Sequence, residues 1–252
     1  MRQQPLTGYI LHARAYQEKR AIYQFISSEF GVVCGVGARG MPSFVPMTLF
    51  ATGKNALKSF TQIQPSPEVS LTPIMGQTQY ALLYMNEVLS RLLVPESPCE
   101  VLWQVYHDEI MQLRALGVIE ACDSLSDLKQ ALRRFERALF DELGVSADFE
   151  YDGLGESIEA NGYYRFVPEV GFVPIGSTLI NKANDEGKKL SRVSYLGLDL
   201  LEMARAQSDQ NMYVKHLQSF GQLQRDVMDY LLEYKPLHSR KLWRQSLQYQ
   251  SV

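Results

Sequence analysis

The sequence is short of the features that mark several large classes of protein. None of its apolar runs approaches the roughly 20 residues that a membrane-spanning helix needs. The opening Met-Arg-Gln-Gln-Pro-Leu carries a charge with no apolar stretch behind it, unlike a secretory leader. A cytoplasmic protein is expected, with no membrane partner. Cysteine occurs three times, as Cys34, Cys99 and Cys122, far apart and in no C-x-x-C pair. That excludes a four-thiolate zinc site within one chain and makes a disulfide framework unexpected. The four histidines, His12, His107, His216 and His238, have neither an H-E-x-x-H spacing nor a cysteine neighbour. No G-x-S-x-G elbow is present. The carboxylates beside His107, Asp108 and Glu109, point in different directions if the segment is helical. The chain therefore offers no catalytic constellation, and no enzyme activity, metal or cofactor is expected.

Two glycine motifs resemble nucleotide loops and fail on context. Gly35-Val-Gly37-Ala-Arg-Gly40 fits G-x-G-x-x-G, but a dinucleotide site needs a helix opening at that loop to receive the pyrophosphate. Pro42 and Pro46 follow instead, and turn glycines of a β-hairpin explain the match. Gly53-Lys54 has Thr48 where a phosphate loop needs its first glycine and Asn55 where it needs a hydroxyl.

What is present is an ordinary globular composition, 252 residues with 46% apolar and 21% charged. It suffices for one large or two smaller cores. The net charge of −3 hides an asymmetry. Residues 1–80 hold seven Lys and Arg against three Asp and Glu, whereas residues 81–252 hold 18 against 25. The front of the chain is basic, which suits a phosphate backbone.

Residues 6–16, 20–27, 32–36, 44–50 and 57–63 read as strands rich in Tyr, Ile and Phe, with a shorter candidate at 68–71. Gly31, Gly37, Gly40 and Gly53 sit between them or at their ends. Five or so short strands in this space predict a small barrel, with an OB-type barrel the obvious form. Pro65, Pro67 and Pro73 mark a boundary, so the expected domains are 1–74 and 75–252. Beyond it the apolar period becomes helical. Leu82, Met85, Leu89 and Leu92 line a first helix, Leu102, Val105, Ile110 and Leu113 a second, and Leu128, Leu132, Phe135, Leu139 and Leu143 a third that stops at Gly144. Residues 145–190 lose that period and are punctuated by glycines, Gly187 among them. Within them 163–167 and 172–175 read as a small hairpin. Helix returns over 193–206 and 212–234, breaks at Pro236, and resumes over 238–248. The fold class expected is α+β: an N-terminal OB-type barrel, then a mainly helical domain with a small β insertion.

Three basic features remain. Arg14, Lys19, Arg20, Arg39, Lys54 and Lys58 are interleaved with Tyr9, Tyr16, Tyr23, Phe44 and Phe60, a mixture that suits single-stranded DNA if the rings are exposed and a plain aromatic core if they are not. Lys129, Arg133 and Arg137 form a stripe at spacings of four on the third helix, beside Arg134. Local pairs such as Arg133 with Glu136 are the competing explanation. The tail carries Lys235, His238, Arg240, Lys241 and Arg244 with no acid after residue 234, which suits a nucleic-acid contact or a solvated helix end.

Several stretches together resemble the RecO family. Leu132-Arg133-Arg134-Phe135-Glu136, with Leu143-Gly144 after it, is similar to the family's central helix. Asn86-Glu87-Val88-Leu89-Ser90-Arg91-Leu92-Leu93 resembles its "NELLSRLL", and Ser239-Arg240-Lys241-Leu242-Trp243-Arg244-Gln245 its C-terminal segment. Glu18, Phe25, Gly31 and Gly37-Ala38-Arg39 fall where the family's barrel pattern has its counterparts. The matches run in order from about residue 6 to 245.

The resemblance implies an OB barrel with a helical domain and a β insertion, binding of single- and double-stranded DNA, and annealing of complementary strands. It also implies partnership with RecR and with the acidic C-terminal tail of single-stranded DNA-binding protein (SSB), loading of RecA onto SSB-coated strands, and a place at the bacterial nucleoid. On it, Arg14, Lys19, Arg20, Arg39, Lys54, Lys58, Lys241 and Arg244 are the expected DNA contacts, and Lys129, Arg133, Arg134 and Arg137 the expected receptor for the SSB tail, because a guanidinium can clamp a carboxylate with two bonds. Two departures stand out. Many members carry paired C-x-x-C zinc motifs in the β insertion, whereas residues 151–171 hold no cysteine. The family's lysine-rich loop after the barrel's "GAR" is here Gly40-Met41-Pro42-Ser43, which shifts more of the expected DNA contact to the helical domain. A protein adaptor that does not touch DNA is the alternative reading.

Overall fold

The computed structural model describes residues 5–118, 124–178, 180 and 193–250. Cys122 and Gly187 therefore lie outside the described residues. The chain divides into two compact units, residues 1–138 with 235–252, and residues 139–234.

The first unit opens with five strands, β1 (Pro5–Gln17), β2 (Arg20–Ser27), β3 (Gly31–Ala38), β4 (Met47–Thr52) and β5 (Leu57–Pro65). They close a barrel in the order β1-β2-β3-β5-β4, the expected OB-type barrel. All neighbours are antiparallel except β3 and β5, whose parallel pairing at Cys34–Leu57 to Val36–Ser59 shuts the cylinder. Alternate residues face inward. Leu6, Ile10, Tyr23, Phe25, Val33, Met47, Leu49 and Phe60 make the core. Each such buried side chain contributes about 1.5–3 kcal/mol. Gly35 is the close-approach position: a Cβ there would lie 2.4 Å from the Phe60 ring, which itself meets Phe25 edge-on. The candidate strand at 68–71 is irregular. Arg114 holds this connection by donating to the carbonyls of Ser70 and, at 3.2 Å, Phe44.

The helical periods correspond to α1 (Gly76–Leu92), α2 (Glu100–Val118) and α3 (Ser124–Glu142). Leu82, Met85 and Leu89 on α1, Leu102, Ile110 and Leu113 on α2, and Leu128, Leu132 and Phe135 on α3 are buried. Helices α1 and α2 lie against the outside of β1 and β2. Tyr9 donates to or accepts from His107 Nδ1 on α2 at 2.7 Å and meets Tyr106 edge-on. Ser90 of α1 bonds Gln24 of β2. Gly31, at φ 64°, brings the β2–β3 turn so near that a Cβ would sit 1.9 Å from the Ser97 carbonyl oxygen.

The second unit contains a three-stranded sheet, order β7-β6-β8, from β6 (Tyr163–Val167), β7 (Gly171–Pro174) and β8 (Ser194–Leu196). The hairpin pairs Phe166 with Phe172, as the sequence suggests. The third strand differs from the expected helix over 193–206: three residues extend beside β6 before α4 (Gly197–Ala206) begins. Phe172 is the hub of this unit, with Phe149, Phe166 and Tyr195 rings 5.5–5.6 Å away. Helices α5 (Gln210–Lys215) and α6 (Leu217–Leu231) complete it, Phe220 packing on Phe149 and Tyr213. The last helix, α7 (His238–Gln250), belongs to the first unit again.

Candidate nucleic-acid interface

The β1–β2 hairpin outgrows the barrel. β1 pairs with β4 only through Pro5–Gly8 but with β2 as far as Gln17. Every residue from 12 to 20 is exposed, so both faces of β1 at this end meet solvent. Arg14 lies opposite Ile22, and Arg20, two residues from Ile22, shares that face. Arg39 follows β3 and reaches back over the tip. Its backbone N–H donates to the Lys19 carbonyl and its Nε to the Arg20 carbonyl, both at 3.2 Å. The hairpin thus gathers four sequence-predicted cations, Arg14, Lys19, Arg20 and Arg39, against one acid in the turn, Glu18. None of the four has an ion-pair partner among the described residues. Confined to one hairpin end, their fields add, and the single charge of Glu18 offsets only part of them.

The other two barrel cations lie elsewhere. Lys54 is exposed on the β4–β5 turn, which the register sets beside the middle of β3, away from the hairpin tip. Lys58 is 6% exposed. Its ammonium sits 2.8 Å from Glu96 and 2.8 Å from the Asn55 carbonyl, tying β5 to the segment after α1. Of the five aromatics interleaved with these cations, Tyr9, Tyr23, Phe44 and Phe60 are core residues, and Tyr16 alone is exposed, at 53%. After Gly40 the chain runs irregularly into β4, with no helix to receive a pyrophosphate.

The basic stripe of α3 is divided by its partners. Arg134 clasps Glu109 of α2 with two bonds, Nε to Oε1 at 2.5 Å and a terminal nitrogen to Oε2 at 2.9 Å. Burial pushes the Glu109 carboxyl up, and the Arg134 bonds work against that rise. Arg133 meets Glu136 at 3.0 Å, and the other oxygen of this buried carboxylate accepts from Tyr84 of α1 at 2.5 Å. Lys129 and Arg137 are exposed on the same stripe. Sequence reading misses Glu109 and Tyr84 as partners because 25 and 52 residues separate them from the groups they bind.

In the tail, Lys241 and Arg244 are exposed on α7, while Arg240 lies over the Tyr84 ring at 5.5 Å. The helix is seated by Glu87 of α1, which accepts from the backbone N–H groups of His238 and Ser239 and from the Ser239 hydroxyl at 2.7–2.9 Å. Burial opposes the Glu87 charge, but these donors and Arg91 outweigh it and hold the carboxyl below its usual range.

A closed OB-type barrel with a long cationic hairpin, packed on helices, defines a two-part α+β protein with exposed positive charge at one end of its barrel. The chain is 31% identical to the DNA repair protein RecO of Pseudoalteromonas atlantica, over 98% of this chain and 96% of that one. It is 30% identical to the DNA repair protein RecO of Pasteurella multocida, over 96% and 95%. No family model matches the chain. The chain belongs to the RecO family, and its function lies in DNA repair.

Proposed function

We propose that this chain is a non-enzymatic recombination mediator. It binds single- and double-stranded DNA, anneals complementary strands and, with RecR, helps load RecA onto single strands coated by SSB, whose acidic C-terminal tail it recognises. It acts in the bacterial cytoplasm at the nucleoid. The observation that carries this reading is the β1–β2 hairpin, where Arg14, Lys19, Arg20 and Arg39 stand exposed and without ion-pair partners among the described residues. A cluster of cations on an exposed strand end, residues 12–20, is arranged to displace counterions from a phosphate backbone. Lys54, Lys241 and Arg244 are further exposed contacts, whereas Lys58 serves the fold through Glu96. The family membership supports the same reading.

The test is fluorescence anisotropy of a labelled single strand against the protein across a salt titration. Affinity is expected to fall steeply with salt. Replacing Arg14, Lys19, Arg20 and Arg39 together by Ala is expected to flatten the log–log slope by about 3, at about 0.7 for each phosphate that is no longer neutralised. Absence of binding at low salt would overturn the DNA reading in favour of an adaptor that touches only protein.

A further inference from the structure

We infer that Tyr16 is a base-stacking residue that makes the β1–β2 hairpin select unpaired nucleic acid over duplex. The inference rests on the DNA-binding reading above and adds to it the class of strand. The register carries it. Ala15 pairs with Ala21 and Gln17 with Arg20, so Tyr16 is an extra residue on β1 with no partner on β2. Such a bulge turns a side chain out of the regular alternation. Tyr16 is the exposed aromatic of the barrel among the described residues, at 53%, whereas Tyr9, Tyr23, Phe25, Phe44 and Phe60 are all below 9%. It makes no hydrogen bond, ring contact or cation–π contact among the described residues. A large ring held half exposed at a strand irregularity and outside the barrel's core cluster does nothing for that core. Around it stand the exposed Arg14, Lys19, Arg20 and Arg39.

That arrangement divides the work between two chemistries. Cations follow phosphates in any nucleic acid and do not distinguish one strand from two. A ring face needs a free base face. In a duplex the bases already stack on each other and present only edges, whereas an unpaired strand offers a face at every nucleotide. Stacking is sequence-tolerant and carries no charge, so it changes strand preference without changing the salt slope.

The experiment compares wild type, Tyr16→Ala, Tyr16→Trp and the Arg14, Lys19, Arg20, Arg39 fourfold alanine variant, all as full chains. Each is titrated with a labelled oligothymidine and with a duplex of equal length. Tyr16→Ala is expected to weaken the single strand about tenfold, leave the duplex within twofold and leave the salt slope unchanged. Tyr16→Trp is expected to restore or exceed wild-type single-strand affinity. Equal single-strand affinity of Tyr16→Ala and wild type would overturn the inference while the salt slope keeps the DNA-binding reading intact. Equal loss on both ligands would also overturn it, because Tyr16 would then act on the hairpin's shape. Wild-type protein that binds neither ligand at low salt would overturn the underlying reading and this inference together.

Discussion

Asn86 shows how much a single residue can hold. It is 3% exposed. Its amide donates to the carbonyls of Ile10 at 3.0 Å and Leu11 at 3.3 Å, and its carbonyl oxygen accepts from the Tyr106 hydroxyl at 2.5 Å. Leu11 is the extra residue of an earlier bulge in β1, between the pairs Ile10–Phe25 and His12–Gln24. Backbone groups released from a ladder need other partners, and Asn86 supplies them while joining β1, α1 and α2. Asn86→Ala leaves the Tyr106 hydroxyl and the bulge carbonyls without these partners, and is expected to cost about 3 kcal/mol. Urea unfolding checks it: the midpoint should fall with the slope unchanged. Nothing local in the sequence announces this role, since the carbonyls served lie 75 and 76 residues away. The same limit explains Lys58. Its charge is legible in the sequence, but its burial against Glu96 is a property of the closed barrel.

At the scale of elements, period was the readable signal. The five strands and the first three helices follow from alternation and 3.6-residue spacing because each buries one side against a large core. β8 escaped this reading because three residues are too few to set a period and the helix starts directly after them. Docking of elements was not legible, and α7 on α1 is the example. Glu87 receives the first N–H groups of α7, where a carboxylate also meets the positive end of the helix dipole. Its folded pKa is lowered, so the contribution is fully present above the unfolded value of about 4.3 and is lost as pH falls through the folded value. Glu87→Gln is expected to reduce stability at pH 7 by about 1–2 kcal/mol. Its stability should then fall less than wild type's as pH drops below about 5. Chemical denaturation at pH 7 and at more acidic pH separates the two curves, and parallel curves would show that the carboxylate charge has no such role.

The stripe on α3 calls for a similar distinction. Arg133 and Arg134 hold buried Glu136 and Glu109, so their loss leaves buried acids without these cations. Lys129→Ala with Arg137→Ala is expected to weaken an SSB-tail peptide at least fivefold with little change in melting temperature. Arg134→Ala is expected to lower the melting temperature itself. Calorimetric titration of the peptide beside thermal melts checks both expectations, and unchanged peptide affinity in the double variant would remove Lys129 and Arg137 from the proposed receptor.

For the whole molecule, charge distribution was the informative total. The basic balance of residues 1–80 appears in the fold as the hairpin end of the barrel. Which aromatics served the core and which met solvent could not be read from composition, because Tyr9, Tyr16 and Tyr23 look alike in sequence and differ only in register.

The discontinuity of the first unit has a consequence for synthesis. Its closing helix lies beyond residue 234, after the whole second unit. At about 5–20 residues per second, a ribosome needs about 5–20 s to travel from the end of the first segment to the start of the last. Throughout that interval α1 presents an empty seat at Glu87, while the second unit, contiguous in sequence, emerges and can fold first. The barrel-bearing unit, first to leave the ribosome, is thus the last to be completed. A translation product that stops short of α7 carries the cationic hairpin residues but leaves the Glu87 carboxylate without the His238 and Ser239 donors, and the unfilled seat is open to the chaperones and proteases that sort unfinished chains.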